Sequence, residues 1–324
     1  MFLSCGDSLI DFFTRTAGGQ RPVNNPHQGD ANEPALQLDG HVGGSPLNVA
    51  CGLARLANTS RFLGKLSNDP FGERIKSFLR EYNVDISLCP ESDINTTLAV
   101  IQRNDDGSAD YAFYARETAD LSLTADELPL PLPDDVSFLH VGSYSTVSGT
   151  TADALATLVQ TSSDKCVVSY DPNIRIGIEP DLDKWRSRVT LFSAAADMIK
   201  VSDEDIAALC GTGDAAIEKF VADAMSAGAA LVVVTRGHKG VSGFLSSGDH
   251  VLLPAIQVEV ADTVGAGDSF QASLLHWLGE KQCYNGSSLD IANIDLSACL
   301  QFASRGAAFT CSHRGAVMPR RVDV

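Results

Sequence analysis

The chain has 324 residues, of which 24 are Lys or Arg and 41 are Asp or Glu, so its formal net charge is −17. This acidity excludes a general nucleic-acid binder, which needs a basic face against the phosphates, and it excludes docking on an anionic membrane. The N-terminus lacks the basic start and small-residue cleavage site of a signal peptide, and no apolar run approaches the ~20 residues that span a bilayer. We therefore expect a cytoplasmic protein with no nucleic-acid and no membrane partner.

Apolar or β-branched runs predict strands, in chain order, at 2–5, 61–64, 97–102, 136–142, 166–170, 231–235 and 256–260. Apolar residues at helical spacing predict helices between many of them, at 48–57, 71–82, 150–161 and 214–227. After residue 136 strands and helices alternate regularly, which favours an α/β fold whose parallel sheet is covered by helices on both faces.

Two segments in the N-terminal half differ from this pattern. Residues 93–120 contain two β-rich runs around Asn-Asp-Asp-Gly, which predicts a hairpin. Residues 18–34 are rich in Gly, Pro and Asn and predict a long loop. We therefore expect a single α/β domain, 1–324, that carries a small β appendage.

The strongest local feature is a glycine-rich turn at 265–268. A strand is predicted to end at Val260, and Phe270 and Leu274 repeat on one face of the following helix, so the turn precedes a helix N-terminus. Its backbone N–H groups and the helix dipole favour an anion. Asp268 at this point suits a base that takes a proton from a hydroxyl as its oxygen attacks a phosphoryl group. Simple capping of the helix by Asp268 explains the same local pattern, and the turn alone leaves both interpretations open.

Competing nucleotide motifs do not fit this chain. No G-x-x-x-x-G-K-[ST] loop is present, and the bulky Phe270 stands where a dinucleotide fingerprint needs Gly or Ala. An NAD-linked dehydrogenase is therefore excluded.

The segment DTVGAGDSF at 262–270 resembles the C-terminal signature of the ribokinase-like (phosphofructokinase B) sugar kinases, and GGSPLNVACGLARL at 43–56 resembles their N-terminal signature. Segments at 62–72, 171–175 and 232–240 keep the family order, so the resemblance covers nearly the whole chain. It implies a ribokinase-like three-layer α/β/α sandwich with a mostly parallel central sheet and a small β-sheet lid formed by approximately 12–40 and 93–118.

The resemblance also implies roles for individual residues. Asp268 aligns with the catalytic base, and Gly265, Ala266 and Gly267 align with the backbone anion hole for the transferred phosphoryl group. The residues that align with sugar-binding positions are Asp11, Gly43, Gly44, Asn48, Tyr114, Arg116 and Arg175. Those that align with nucleotide-binding positions are Ser202, Thr235, Gly237 and Gly240.

Two implied metal sites involve departures from the family pattern. Asp205 stands where the family usually has the Glu of an Asn-x-x-Glu pair, so we expect it to contact Mg²⁺ through water. The family's monovalent-cation loop maps onto Asp262, Val264, Thr310, His313 and Gly315. His313 stands where arginine is more usual. The resemblance thus implies ATP and Mg²⁺ as cofactors and K⁺ as a candidate activator, and a homodimer formed through the lid is common among relatives.

The leading hypothesis is an ATP-dependent sugar kinase that acts on fructose, because GGSPLNVA, DPFG and DPNIR resemble fructokinases most. A 2-keto-3-deoxygluconate kinase is the first alternative, in which Arg116 and Arg175 would together bind the substrate carboxylate. Another ribokinase-like sugar or nucleoside kinase remains open. A non-catalytic sugar-binding pseudokinase also remains open, because the segment at 200–205 departs from the family pattern.

Overall fold

The computed structural model describes residues 1–14, 37–103 and 109–324. The predicted loop at 18–34 and the Asn-Asp-Asp-Gly turn of the predicted hairpin lie outside these residues. Elsewhere most predicted elements are observed close to their predicted bounds. The helix predicted at 214–227 is Asp214–Ala227, and the strand predicted at 231–235 is Leu231–Thr235.

The first strands in chain order are β1 (Phe2–Cys5), β2 (Leu9–Thr14), β3 (Leu38–Gly43), β4 (Ser60–Leu63), β5 (Leu66–Ser67), β6 (Glu91–Ser92), β7 (Thr97–Arg103) and β8 (Ala109–Tyr114). They are followed by β9 (Phe138–Gly142), β10 (Val167–Asp171), β11 (Met198–Ser202), β12 (Leu231–Thr235), β13 (Val241–Leu245), β14 (His250–Leu253), β15 (Tyr284–Asn285) and β16 (Ser288–Leu289). The helices are α1 (Ser45–Arg55), α2 (Pro70–Glu81), α3 (Thr151–Ser162), α4 (Leu182–Ser193), α5 (Asp203–Cys210), α6 (Asp214–Ala227), α7 (Ala266–Glu280) and α8 (Leu296–Cys311).

The central sheet has the strand order β14-β13-β12-β11-β10-β9-β1-β4. Strands β4, β1, β9, β10, β11 and β12 of this sheet run parallel to one another. Strands β13 and β14, at one edge of the sheet, are antiparallel. The parallel strands are almost entirely buried and mostly apolar, as expected for a sheet covered on both faces. Because they are parallel, their carboxyl ends meet at a single edge of the sheet.

The two faces of this sheet contact different groups of helices. In β9, Leu139 and Val141 pack in a core with α3, α4, α5 and α6, whereas Phe138 packs in a core with α1, α7 and α8. Successive residues of a strand point to opposite faces, so one strand contributes to both cores. The architecture is the predicted three-layer α/β/α sandwich. Of the helices in the described ranges, none combines the length and apolar character needed to cross a membrane.

A second, four-stranded sheet with the order β3-β2-β7-β8 stands beside this edge, and we call it the lid sheet. Asp11 pairs with His41 in β3 and with Ala99 in β7, so these three residues share a face. Phe12 points to the opposite face, where its ring contacts that of Phe71 in α2 at a centroid distance of 5.6 Å. The lid sheet therefore has an inner face, which carries Asp11, and an outer face, which is partly covered by α2.

The strand predicted at 256–260 is wrong. Within the described residues, 254–260 pair with no strand after β14 ends, and the side chain of Val260 is 61% exposed. The β-branched residues favour an extended backbone, but this alone does not make a strand. The next backbone bond runs from the Ala261 N–H to the Cys311 carbonyl of α8. The turn at 265–268 therefore follows a loop, not a strand.

Candidate active site

The N-termini of α1 and α7 lie side by side at the carboxyl edge of the central sheet. Each helix follows a glycine in the left-handed region, with φ of 114° at Gly44 and 77° at Gly265, where any side chain would be strained. The two helices also pack very closely, because a Cβ on Gly52 would lie 2.6 Å from the Ala272 side chain. The N-terminal ends of two helix dipoles are thus brought to one place.

Asp268 lies in the first turn of α7, and both of its carboxylate oxygens are held by α1. The Ser45 Oγ donates a hydrogen bond to Oδ1 at 2.7 Å, and the Asn48 Nδ2 donates one to Oδ2 at 2.8 Å. The carboxylate is only 8% exposed. Each oxygen retains a lone pair after these bonds, so the group is oriented and can still accept a proton. This arrangement goes beyond helix capping, because both carboxylate oxygens bond to side chains of another helix, α1.

Asp11 faces Asp268 from the inner face of the lid sheet. A Cβ on Gly43 would collide with the Asp11 Oδ2, so glycine at this position leaves room for the carboxylate. Burial raises the pKa of Asp11 to about 6, the Arg175 guanidinium opposes this rise, and the Asp268 carboxylate adds to it. These interactions bring together Asp11, Asp268 and Arg175, three predicted site residues that are far apart in the sequence.

A buried ion pair lies directly behind the glycine-rich turn. The Nζ of Lys200, in the middle of β11, lies 2.8 Å from the Asp171 Oδ2 at the end of β10, and both side chains are buried. A Cβ on Gly267 would lie 3.1 Å from the Lys200 Nζ, so the ammonium is in contact distance of the turn. Burial raises the pKa of Asp171 to about 6, with Lys200 opposing the rise. A fixed positive charge therefore stands where the resemblance implies a phosphoryl group.

The predicted nucleotide-binding residues lie along neighbouring strand ends. Ser202 at the end of β11 is in register with Thr235 at the end of β12. Gly237 and Gly240 flank the short turn that follows, with φ of 51° and 100°. A Cβ on Gly240 would collide with the Leu253 carbonyl, so only glycine fits there. The four residues form one continuous rim at the carboxyl edge.

Asp205 fits a magnesium ligand poorly, contrary to the sequence prediction. Its Oδ2 accepts hydrogen bonds from the Ser202 backbone N–H at 3.1 Å and from the Ser202 Oγ at 2.7 Å, and its Oδ1 accepts one from the Ile174 N–H at 2.8 Å. The Ser202 hydroxyl in turn accepts the Asp205 N–H, which completes a capping box at the start of α5. The carboxylate is thus occupied in holding this helix and the 171–175 loop.

The two segments of the predicted monovalent-cation loop adjoin each other. The Asp262 Oδ1 accepts the Thr263 and Val264 N–H groups, and its Oδ2 accepts the Gly315 N–H at 3.2 Å. The buried Thr310 donates its hydroxyl to the Val317 carbonyl at 2.8 Å. Backbone carbonyls in such adjoining loops are ligands that suit K⁺. The His313 side chain, in contrast, is exposed and stacks on the Phe309 ring at 4.3 Å, so it does not point between the two segments.

Comparison with known proteins identifies the family. A model of the pfkB family carbohydrate kinases matches residues 6–321. The chain belongs to the pfkB family of carbohydrate kinases. The predicted family and the predicted kinase activity are thereby confirmed.

Individual relatives of this pfkB kinase agree with that assignment. Over 277 residues it is 35% identical to Fructokinase-2 of Zea mays, which covers 85% of this chain and 79% of that protein. A crystal structure of a fructokinase with bound ATP from Xylella fastidiosa has a TM-score of 0.85 at 24% identity, covering 99% of this chain and 96% of that one. A double-mutant fructokinase from Vibrio cholerae O395, bound to fructose, ADP and a potassium ion, has a TM-score of 0.77 at 23% identity, covering 97% and 93%. The two structural likenesses show the ribokinase-like fold.

Two predicted sugar-binding residues are not brought to the site of the pfkB kinase. In the lid sheet Tyr114 pairs with Leu98, which pairs with Ile10, so Tyr114 lies on the outer face and is 62% exposed. Arg116 follows two residues later and is also exposed. Phe113 lies on the inner face instead, where its ring reaches Gly177. Tyr114 therefore lies on the face opposite to Asp11, because neighbouring residues of a strand point to opposite faces.

Two residues of the site were not identified from the sequence. Ser45 lies in the N-terminal signature, but nothing in its spacing indicates a bond to a residue 223 positions away. Lys200 does carry a signal, because a lysine inside the buried strand MIKVS requires a counter-charge. The sequence does not say that this counter-charge is Asp171, 29 positions earlier.

Proposed function

We propose that this carbohydrate kinase transfers the γ-phosphoryl group of ATP to a hydroxyl group of fructose. The observation that carries the proposal is the Asp268 carboxylate, which both Ser45 and Asn48 orient at the N-terminus of α7. A base at this point has the lid sheet on one side and the glycine-rich turn on the other. The likeness to Fructokinase-2 of Zea mays supports fructose as the sugar.

On the sugar side, Asp11, Asn48 and the backbone at Gly43 and Gly44 bind the hydroxyl groups. A carboxylate accepts hydrogen bonds and an amide both donates and accepts them, so together they match neighbouring hydroxyls. The guanidinium of Arg175 opposes the charge repulsion between Asp11 and Asp268. The lid sheet closes over the bound sugar and excludes water, which would otherwise compete as an acceptor.

In the transfer step, Asp268 takes the proton of the attacking hydroxyl. The hydroxyl oxygen forms a bond to the γ-phosphorus, and the bond from that phosphorus to the β–γ bridging oxygen breaks, which releases ADP. Charge on the transferred group is stabilised by the Gly267 N–H, by the dipole of α7 and by the Lys200 ammonium. The Ala266 N–H donates to the Thr263 carbonyl at 3.3 Å, so the role predicted for Ala266 in the anion hole is left out of this step. The turn and Lys200 together thus supply the positive potential that this acidic chain lacks overall.

ATP enters as its Mg²⁺ complex along the rim formed by Ser202, Thr235, Gly237 and Gly240. The magnesium ion is part of this substrate and neutralises phosphate charge. The adjoining loops at 262–264 and 310–315 are proposed to hold K⁺, in line with the potassium ion bound by the Vibrio cholerae relative. Such an ion would fix the loop that leads into the glycine-rich turn.

We further propose that two copies associate through the outer faces of their lid sheets, in the cytoplasm. The outer face exposes Tyr114 (62%) and Leu38 (37%), two large apolar side chains on the outer strands of the sheet. A Tyr114→Glu variant should shift the protein toward monomer in light scattering coupled to gel filtration. A wild-type monomer at micromolar concentration would refute the dimer and leave the kinase proposal intact.

The kinase proposal is tested with Asp268→Asn, which keeps the shape of the side chain but removes its basicity. We expect kcat in a coupled ADP-release assay to fall roughly 10²- to 10⁴-fold, while fructose binding by calorimetry is retained. Asp295→Asn, at the N-cap of α8 and remote from the site, is the matched control and should keep wild-type activity. Wild-type turnover by Asp268→Asn would refute the base, and fructose binding without turnover in the wild type would favour a pseudokinase.

The sugar is tested by a substrate panel in the same assay. Fructose should give the highest kcat/KM, above 2-keto-3-deoxygluconate, ribose and adenosine. A preference for the ketodeoxy acid would replace fructose by the first alternative, with Arg175 as the residue that binds the substrate carboxylate.

A further inference from the structure

A second buried carboxylate lies beneath Asp268 and is not used by the proposed reaction. Asp7 follows β1 and is fully buried. Its Oδ1 accepts the Ser45 backbone N–H at 3.2 Å, and its Oδ2 accepts the Ser145 N–H at 3.4 Å, in the segment after β9. Asp7 therefore ties together the ends of β1 and β9 and the first residue of α1.

We infer that Asp7 is a positioning residue for the base, acting through Ser45. The same Ser45 whose N–H is held by Asp7 donates its hydroxyl to the Asp268 Oδ1 at 2.7 Å. A path of two hydrogen bonds thus runs from Asp7 to the base. The inference rests on the proposed function, since it assigns Asp7 a role only if Asp268 is the base.

The charge around Asp7 makes this path sensitive to pH. The titratable groups that face it are Asp120, which precedes β9, and Tyr144, which follows it. Tyr144 donates its hydroxyl to the Asp120 Oδ2 at 2.7 Å, and Thr97 of the lid sheet donates to the Oδ1 at 2.5 Å. Burial and the Asp120 carboxylate raise the pKa of Asp7 to about 7. Protonation removes acceptor capacity from Asp7 and loosens its hold on Ser45.

This role predicts a specific pH profile. As pH rises through about 7, Asp7 ionises, accepts both N–H groups and fixes Ser45, so kcat should rise over that range. In Asp7→Asn the amide keeps one acceptor but places a donor against the second N–H. We expect kcat to fall about tenfold to a hundredfold, the value of a hydrogen bond to a charged group. The rise near pH 7 should disappear, with the KM for ATP unchanged.

The matched control is Asp120→Asn, because Asp120 is equally buried but contacts Tyr144 and Thr97 instead of α1. It should change stability and keep the rise of kcat, but move that rise to lower pH, because loss of the Asp120 charge lowers the pKa of Asp7. Ser45→Ala should lower kcat as Asp7→Asn does, and the double variant should be no worse than the more impaired single variant, because both act on one path.

Full additivity of the two substitutions, or a wild-type kcat and pH profile in Asp7→Asn, would overturn the inference. If Asp7→Asn does not fold, the Ser45→Ala variant tests the inference alone. A kcat within twofold of wild type at every pH would overturn the inference. A reduced kcat with a flattened pH profile would support it. An active Asp268→Asn variant would instead refute the proposed function, so the two failures are distinguishable.

Discussion

The Lys200 ammonium lies 2.8 Å from the Asp171 carboxylate and also within contact distance of Gly267. The lysine therefore contacts two different groups. One is the Asp171 carboxylate, which is its counter-charge, and the other is the glycine-rich turn, which we propose binds the phosphoryl group. A buried lysine without Asp171 would tend to lose its proton, because burial disfavours the charged form. Asp171 raises the pKa of Lys200 and so keeps it charged.

Replacing Lys200 by methionine should lower kcat about 100-fold or more, because one fixed charge on the transferred phosphoryl group is lost. It should also destabilise the fold by roughly 3–5 kcal/mol, since Asp171 is left buried and unpaired. Steady-state kinetics and urea unfolding measure the two effects separately.

The double variant Lys200→Met with Asp171→Asn is the matched control. It removes the unpaired charge, so stability should largely return while kcat stays low. Recovery of kcat in the double variant would show that Lys200 acts only on the fold.

Arg175→Ala should raise the KM for fructose about tenfold, which corresponds to about 1.4 kcal/mol. The reason is that Arg175 opposes the repulsion between Asp11 and Asp268 in the site. Arg116→Ala removes an exposed side chain near the end of the outer strand β8 and should stay within twofold of wild type. The two variants together test whether Arg175, and not Arg116, lies at the sugar site. An equal change in the KM for fructose in both variants would contradict this placement.

Gly267→Ala should lower kcat with a small change in stability. The added methyl would lie 3.1 Å from the Lys200 Nζ, which is tighter than ordinary contact, so the ammonium must shift. Gly248→Ala is the comparison: no atom lies near its added Cβ, but its φ of 98° is left-handed, so this variant strains the backbone outside the site. Stopped-flow measurement of the first turnover would show whether the chemical step is the one that slows.

Asp197 gives a pH prediction that does not involve the active site. It lies at the amino end of β11, and burial raises its pKa from 3.8 to about 6, although the Val168 N–H bonded to its Oδ2 opposes the rise. A raised pKa means that the folded state holds its proton longer than the unfolded state. Stability from this group is therefore greatest below pH 3.8 and is lost as pH rises through 6.

The Asp197→Asn variant should accordingly be more stable than wild type at pH 8, by at most about 3 kcal/mol, with the difference vanishing near pH 4. Asp85→Asn should show the opposite sign. Burial alone would raise the pKa of Asp85, but hydrogen bonds from Ser87 and from the Arg61 guanidinium lower it. The Asp85→Asn variant should therefore lose the most stability, relative to wild type, at neutral pH. Guanidinium unfolding from pH 4 to 8 checks both, and parallel curves for the two variants would contradict the argument.

Sequence patterns predicted the parts of this protein that depend on local order. Asp268 and Asn48 stand in short motifs whose spacing is fixed by one helix each, and the structure brings them within 2.8 Å. Lys200 and Asp171 form an ion pair because β10 and β11 are neighbours in the sheet. The local sequence of either strand does not determine the strand order, so this ion pair could not be predicted.

The errors have similar physical causes. Tyr114 was expected at the sugar site from the resemblance alone, and a resemblance of sequence does not give the strand pairing that places Tyr114 opposite Leu98, on the outer face. The residues at 256–260 have the composition of a strand but lie beyond the last ladder partner. Asp205 was expected to serve a metal, whereas its hydrogen bonds to Ser202 and Ile174 use its oxygens in the fold.

The close packing of α1 on α7 at Gly52 and Ala272 separates two parts of the enzyme, the packed helix pair and the lid sheet. The proposed base Asp268, the glycine-rich turn and Asn48 lie in one packed block, so a change to one of them affects the others. The lid sheet faces this block through Asp11, which we propose as a further contact to the sugar. The sugar preference could therefore be changed by exchanging the strands of the lid sheet while α1 and α7 are kept unchanged. The lid sheet is then the part of the fold to vary in a redesign.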